Sequence, residues 1–78
     1  MKPDAVNNPA TMNRIGNMYI QGRGVQKDPE EANKWYKKAA EAGFAAAQFN
    51  LGLLYLEGLG APKSSNEASK WFLKAAEQ

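Results

Sequence analysis

Apolar residues recur along this chain at the three- and four-residue spacing of helices that are buried on one face. The first such stretch predicts a helix from about Pro9 to Ile20, with Asn8 as its N-cap. Proline suits the first helical position because the N–H that it lacks would have no partner there. One stripe of this helix carries Met12, Ile15, Gly16 and Tyr19.

A second helix is predicted to begin at Asp28-Pro29-Glu30-Glu31, which combines an N-cap aspartate, a first-turn proline and an acid three residues past the cap. Gly43 follows at the place where a left-handed residue ends a helix, and Phe44 begins the next one. So short a link predicts antiparallel packing of consecutive helices. The buried stripe of the second helix is Ala32, Trp35, Tyr36, Ala39 and Ala40.

The whole pattern occurs twice, at a separation of 36 residues that places Gly16 on Gly52, Tyr19 on Tyr55 and Trp35 on Trp71. Periods of this length are typical of solenoids built from repeated helix pairs. The second copy has its own predicted capping box at Ser64-Ser65-Asn66-Glu67. Its two stripes are Gln48, Leu51, Gly52 and Tyr55, and then Ala68, Trp71, Phe72, Ala75 and Ala76. We expect both second helices to bury the same small–large–large–small–small stripe.

The repeated residues resemble the Sel1-like repeat, a relative of the tetratricopeptide repeat. Unit two reads Leu51-Gly52-x-x-Tyr55-x-x-Gly58-x-Gly60, followed by Glu67-Ala68-x-Lys70-Trp71-Phe72-x-Lys74-Ala75-Ala76-Glu77, and unit one matches the same pattern. The resemblance implies an all-α fold, in which two tandem helix–turn–helix repeats form a right-handed α-solenoid of four helices. It also implies an adaptor or scaffold for protein–protein interaction, of a kind common in bacteria and in endoplasmic-reticulum quality control. We predict repeats at about 9–43 and 44–78, after a flexible N-terminal segment at 1–8.

Composition narrows the functional classes further. The net charge of +2 is well short of the dense positive field that is typical of nucleic-acid binders. The chain has no histidine and no cysteine, its serines have no obvious activating partner, and its acids lie mostly at helix starts or beside lysines. We therefore predict that it is not an enzyme and that it binds no metal and no cofactor.

Lysines on the second helices leave RNA binding open as a remote third function. Glutamates interleave with these lysines at spacings such as Glu30 to Lys34, which favour ion pairs on a solvated face. We therefore expect no nucleic-acid partner. The lysines are Lys34, Lys37, Lys38, Lys70 and Lys74, and the acids are Glu30, Glu31, Glu41, Glu67 and Glu77.

The segment from Met1 to Asn8 resembles neither a secretory signal nor a membrane anchor, because it lacks an apolar run of about seven residues. Nowhere does the chain approach the roughly eighteen apolar residues of a membrane-spanning helix. We expect a soluble chain without membrane insertion, cytoplasmic as written. A periplasmic or secretory-pathway location stays open if the sequence is an excised domain.

Repeated glycines and tryptophans are predicted to belong to the scaffold. Gly16 and Gly52 lie inside helices, where each costs about 1 kcal/mol relative to alanine. Their repetition indicates a helix–helix contact that is too close for a Cβ. Trp35 and Trp71 lie within the buried stripes, so we expect them to be core residues rather than an aromatic binding site.

The candidate partner-binding face combines positions of the first helices that point away from the buried stripe. The resemblance implies that these helices line the concave surface, and these positions differ between the units whereas packing positions repeat. We expect a protein or peptide partner to bind there through apolar anchors and hydrogen bonds. The residues are Asn13, Asn17, Ile20 and Gln21 in unit one, and Phe49, Leu53, Leu56 and Glu57 in unit two.

Two alternatives to this face stay open. Phe49, Leu53 and Leu56 would equally well pack against a neighbouring helix or a second chain. Stacked repeats also usually need about three copies to cover their hydrophobic faces. The uncapped ends of two repeats would then associate end to end, which would make the chain a self-associating structural unit and a homo-oligomer.

Overall fold

The computed structural model describes residues 8–78, and these form four α-helices and no strand. Each helix packs against the next one along the chain. The all-α prediction of two helix–turn–helix units is therefore confirmed. The predicted flexible segment 1–8 lies outside the described residues, apart from Asn8. The helices are α1 (Pro9–Gln21), α2 (Pro29–Glu41), α3 (Ala45–Glu57) and α4 (Ser65–Ala76).

Side chains of the predicted residues cap the N-termini of α1 and α2. The Oδ1 atom of Asn8 accepts a hydrogen bond from the N–H of Ala10 at 2.8 Å. The Oδ1 atom of Asp28 accepts one from the N–H of Glu31 at 3.2 Å. Each bond satisfies a backbone donor that has no partner within its helix. Phe44 precedes α3 without a side-chain cap.

The start of α4 differs from the predicted capping box. The Oγ atom of Ser64 accepts a hydrogen bond from the N–H of Glu67 at 3.1 Å, as predicted. The N–H of Ser64, however, donates to the carbonyl oxygen of Tyr55 at 2.9 Å, and the Glu67 carboxylate pairs with Lys70 at 3.3 Å. The return half of the box is therefore replaced by a bond that closes the loop onto α3.

The core consists of small residues with a few large ones between them. Leu51, Ala32, Ala39 and Ala47 have no exposed surface. Small side chains at the contacts allow neighbouring helix axes to lie close together, because the distance between the axes depends on the side chains that separate them.

One polar side chain, Gln48, is buried in this core, where the sequence placed it in the stripe of α3. Its Nε2 atom donates to the carbonyl oxygen of Ala40 at 3.1 Å, and its Oε1 atom accepts from Nε2 of Gln78 at 2.8 Å. Buried polar groups are stable only when they have such partners. The bond to Ala40 also joins the first repeat to the second.

The expectation that both second helices bury the same stripe holds only in part, since α2 buries its stripe apart from Trp35, and α4 buries only Ala68 and Trp71. In α2, Tyr36 and Ala40 are almost completely buried. In α4 the corresponding Phe72 is only half-buried and Ala76 is exposed. The reason is that α2 packs between α1 and α3, whereas α4 packs mainly against α3 within residues 8–78.

The glycines inside α1 and α3 lie directly against aromatic rings. A Cβ atom on Gly16 would come within 2.6 Å of the Tyr36 ring, and a Cβ on Gly52 would come within 2.7 Å of the Phe72 ring. These distances are well inside van der Waals contact. The predicted close helix–helix contact is therefore confirmed in both repeats.

We expect Gly52→Ala to lower the melting temperature. The extra methyl group must displace the Phe72 ring, and overpacking of this kind costs about 1–3 kcal/mol, whereas the gain in helix propensity is about 1 kcal/mol. Thermal unfolding followed by circular dichroism measures the difference. Adding Phe72→Leu to Gly52→Ala makes room for the methyl group and should recover part of the loss. A melting temperature above that of the unsubstituted chain would contradict the prediction.

Candidate protein-binding surfaces

Asn17, one of the predicted partner-binding residues, takes part in an internal hydrogen bond. The hydroxyl of Tyr36 donates to its Oδ1 atom. A tyrosine hydroxyl is protonated at neutral pH and can donate, and burial raises the pKa of Tyr36 further, to about 12. In unit two the corresponding residues are Leu53 and Phe72, which form an apolar pair of positions. The difference between Asn17 and Leu53 therefore has a packing explanation.

Asn13, a second predicted residue, lies at the junction between the repeats. Its Oδ1 atom accepts a hydrogen bond from Nδ2 of Asn50 at 3.1 Å. The bond links α1 to α3, so this amide is occupied within the chain. Its counterpart in unit two, Phe49, has no following repeat beside it within residues 8–78 and is 50% exposed.

The end of α1 forms one wall of a polar cavity of about 350 Å³. Gln21 is exposed there and its Oε1 atom accepts from Nη1 of Arg23 at 3.4 Å, whereas Ile20 packs against the core. The cavity brings Gln21 and Asn17 together with residues that the sequence analysis did not select. These residues are Arg14, Met18 and Arg23.

The predicted residues of α3 form an apolar stripe at the spacing i, i+4 and i+7. Phe49 and Leu56 are 50% and 42% exposed, and Leu53 between them is half-buried. Glu57 is exposed at the end of the same helix. Apolar side chains exposed at helical spacing on one face are unusual in a soluble helix and indicate a surface that another apolar group covers. Whether the α1 and α3 residues act as one face stays a prediction.

A second apolar surface lies where the repeat ends, between α3 and α4. The rings of Phe49 and Phe72 meet there with centroids 5.4 Å apart and planes tilted by 45°. Together with Ala75 and Ala76 they line an open groove of about 410 Å³, which we call the end groove. Phe72, Ala75 and Ala76 were predicted to be core residues. In unit one the corresponding stripe is covered by α3, and no helix among residues 8–78 covers it in unit two.

The lysines of the second helices lie on a solvated face, as expected. Lys34 pairs with Glu31 at 3.5 Å rather than with Glu30, and both side chains are exposed. Pairs of this kind contribute about 0–1 kcal/mol. Lys38 lies over the Trp35 ring at 5.0 Å from its centroid, a cation–π contact that screens the apolar ring from solvent.

The described part of the chain contains neither a cluster of metal ligands nor a membrane-spanning helix. No group of three histidine, cysteine, aspartate or glutamate side chains comes together there to hold a metal ion. None of the helices within residues 8–78 combines the length and the apolar character that a membrane crossing requires. Three surfaces of the described residues are considered further as binding sites for a partner, and these are the α3 stripe, the polar cavity and the end groove.

Comparisons with known proteins identify the repeat. The Sel1 repeat model matches residues 9–44 and again residues 45–78. No curated protein matches the chain at a significant level. Among solved structures, a Sel1 repeat protein from Oxalobacter formigenes is 70% identical with a TM-score of 0.95, and the match covers 100% of this chain and 32% of that one.

Two further structures are similar over most of this chain. One is c5321, a protective antigen present in uropathogenic Escherichia coli strains, which displays an SLR fold. It is 44% identical with a TM-score of 0.88 over 90% of this chain and 15% of its own. The other is Helicobacter pylori cysteine rich protein B, which is 30% identical with a TM-score of 0.87 over 91% of this chain and 53% of its own.

The chain thus spans less than two thirds of each of these proteins. Two tandem matches account for residues 9–78, and solved structures with the same helix pairs superpose on nearly the whole chain. The chain therefore belongs to the Sel1 repeat family.

Proposed function

We propose that the chain is a non-catalytic module that binds a peptide or protein segment along the first helices of its two repeats. Repeats of this family are generally protein-interaction modules and typically not enzymes. The observation that carries the proposal is the exposed apolar stripe of α3, formed by Phe49, Leu53 and Leu56. A partner side chain buried against it would gain about 25 cal/mol for each Å² of apolar surface removed from water.

Polar groups beside this stripe would orient the partner. Gln21 and Glu57 are exposed at the ends of α1 and α3, and Arg14 and Arg23 border the polar cavity. An extended or helical segment with apolar anchors and acidic or amide side chains fits this combination. Asn17 contributes less than its position suggests, because its Oδ1 atom already accepts from Tyr36.

The proposal is tested with peptides selected from a random display library against the chain. Leu56→Glu should weaken binding of the selected peptides at least about tenfold, since burying one leucine contributes about 1.5–3 kcal/mol. Leu73→Glu is the matched control, because Leu73 is 61% exposed on α4 and outside the proposed face. Peptides should shift the amide resonances of residues 13–21 and 49–57. Equal binding by Leu56→Glu, or shifts confined to α2 and α4, would refute the proposed face.

A second candidate function is end-to-end self-association. The observation that favours it is the end groove, where Ala76 is exposed and Phe72 is only half-buried although the corresponding residues of α2 are covered. In this case the partner would be another copy of the same chain, and the groove rather than the α3 stripe would be the main contact.

A further inference from the structure

We propose that the end groove receives helix α1 of a second copy, in the same arrangement in which α2 receives α3 within one chain. The inference rests on the second candidate function, end-to-end self-association, and specifies the surfaces that meet. The partner is argued from the internal repeat, because the junction between the two units shows what each of these surfaces contacts when a helix covers it.

The groove side of this contact repeats a surface that is already covered in the first unit. The residues of the first repeat that correspond to Phe72, Ala75 and Ala76 are Tyr36, Ala39 and Ala40. These residues of α2 are 3%, 0% and 2% exposed because α2 packs between α1 and α3. The same side chains in α4 are half-buried or exposed. The end groove is therefore the second-repeat equivalent of the part of α2 that is buried between α1 and α3.

Helix α1 also carries a face that corresponds to the face of α3 packed at the internal junction. On α3, which packs against α2, the residues Ala47, Leu51 and Leu54 are buried and belong to the same core cluster as residues 39 and 40 of α2. Their counterparts on α1 are Thr11, Ile15 and Met18, which are of similar or slightly larger size and are only partly buried in a single copy. A helix with this face fits a groove lined by two aromatic rings and two alanines.

The edges of the contact also have counterparts. At the internal junction Asn13 bonds to Asn50. At the proposed contact the corresponding positions are Phe49 of one copy and Arg14 of the next. A guanidinium over an exposed aromatic ring is a favourable cation–π pair. One bond has no counterpart, because Met12 stands where Gln48 donates to the Ala40 carbonyl.

The geometry is heterologous, since the groove of one copy binds a different surface on the next. Such contacts leave a free groove at one end and a free α1 at the other, and they extend into open assemblies. The average mass in solution should then rise with concentration by mass action and should not stop at a dimer.

Sedimentation velocity over about a hundredfold range of concentration tests this expectation. Ala76→Arg places a charge in the groove and should raise the dissociation constant for self-association at least about tenfold, a change of about 1.4 kcal/mol. Ser69→Arg is the matched control, because Ser69 is also exposed on α4 but does not line the groove. Far-UV circular dichroism confirms that both variants are folded.

A mixture of two blocked chains tests the pairing of surfaces. Met18→Arg blocks the α1 side and leaves the groove intact, whereas Ala76→Arg does the reverse. Each variant alone should be monomeric, and the mixture should form one-to-one dimers that do not grow. Should Met18→Arg fail to fold, Arg14→Glu at an exposed position of the same face replaces it.

Two outcomes overturn the proposal in different ways. A chain that remains monomeric over the whole range excludes both the docking and self-association as a function, and leaves peptide binding along α3 untouched. A chain that associates equally well with Ala76→Arg self-associates through another surface, so that the proposed pairing is wrong while the second candidate function stands.

Discussion

Trp71→Ala is expected to unfold a large fraction of the chain under conditions in which the unsubstituted protein is stable. Trp71 is 9% exposed and belongs to the core cluster that also contains Leu51 and Leu54. Truncation of a buried tryptophan to alanine costs about 3–5 kcal/mol. A domain of this size has a total stability of about 4–12 kcal/mol at the usual 0.05–0.15 kcal/mol per residue. Urea unfolding followed by far-UV circular dichroism measures the loss.

Trp35→Ala is the matched control for this substitution. Trp35 occupies the same repeat position, but it is only partly buried and packs at the margin of the cluster. Its truncation should therefore cost less than that of Trp71. Equal losses for the two tryptophans, or an unchanged midpoint for Trp71→Ala, would show that burial at this position does not govern stability.

The helices could be predicted from the sequence because their limits are set by local chemistry. The N-cap residues Asn8 and Asp28 bond to backbone N–H groups two or three residues away, and Gly43 adopts a φ of +92° where α2 ends. Interactions over so few residues are visible in the order of the residues themselves. Each helix prediction was also supported by a second copy of the same pattern 36 residues further along the chain.

Burial in α4 could not be predicted in the same way. The stripe of Phe72, Ala75 and Ala76 shows which residues suit a buried position, and the corresponding stripe of α2 is covered. Whether a residue is covered depends on a neighbouring helix, which the local pattern does not contain. The groove is consequently open because no further helix among residues 8–78 covers α4, and the sequence of α4 itself does not show this.

The candidate binding face stays a prediction, whereas the fold is confirmed. Differences between the repeats were taken to mark recognition. Asn17 and Leu53, however, differ together with the facing residues 36 and 72 of the packed second helix. A hydrogen bond between residues 19 positions apart does not appear in the pattern of either helix. Comparing pairs of facing positions, rather than single positions, would have separated packing from recognition at this site.

Gly60→Ala should be strongly destabilising, because two separate effects act at this loop. Gly60 has a φ of +73°, in the left-handed region, which costs an alanine about 1–2 kcal/mol. A Cβ atom would also overlap the carbonyl oxygen of Pro29 and lie 2.6 Å from its carbonyl carbon. The loop of the second repeat thus lies directly on the first turn of α2. Backbone atoms cannot rotate away as side chains do, so the overlap should add about 1–3 kcal/mol.

Gly24→Ala separates the two effects. Gly24 has nearly the same φ, +77°, but a Cβ there would meet only the Cε atom of Met18 at 3.8 Å, which is ordinary contact. Gly24→Ala should therefore lower the free energy of unfolding only by the cost of the left-handed backbone conformation, about 1–2 kcal/mol. Urea midpoints of the two variants at equal protein concentration give the difference, which measures how closely the second loop packs on the first repeat. If the two substitutions cost the same, the contact between Gly60 and Pro29 does not hold the repeats together, and the stacking of the repeats must depend on the α2–α3 helix contact instead.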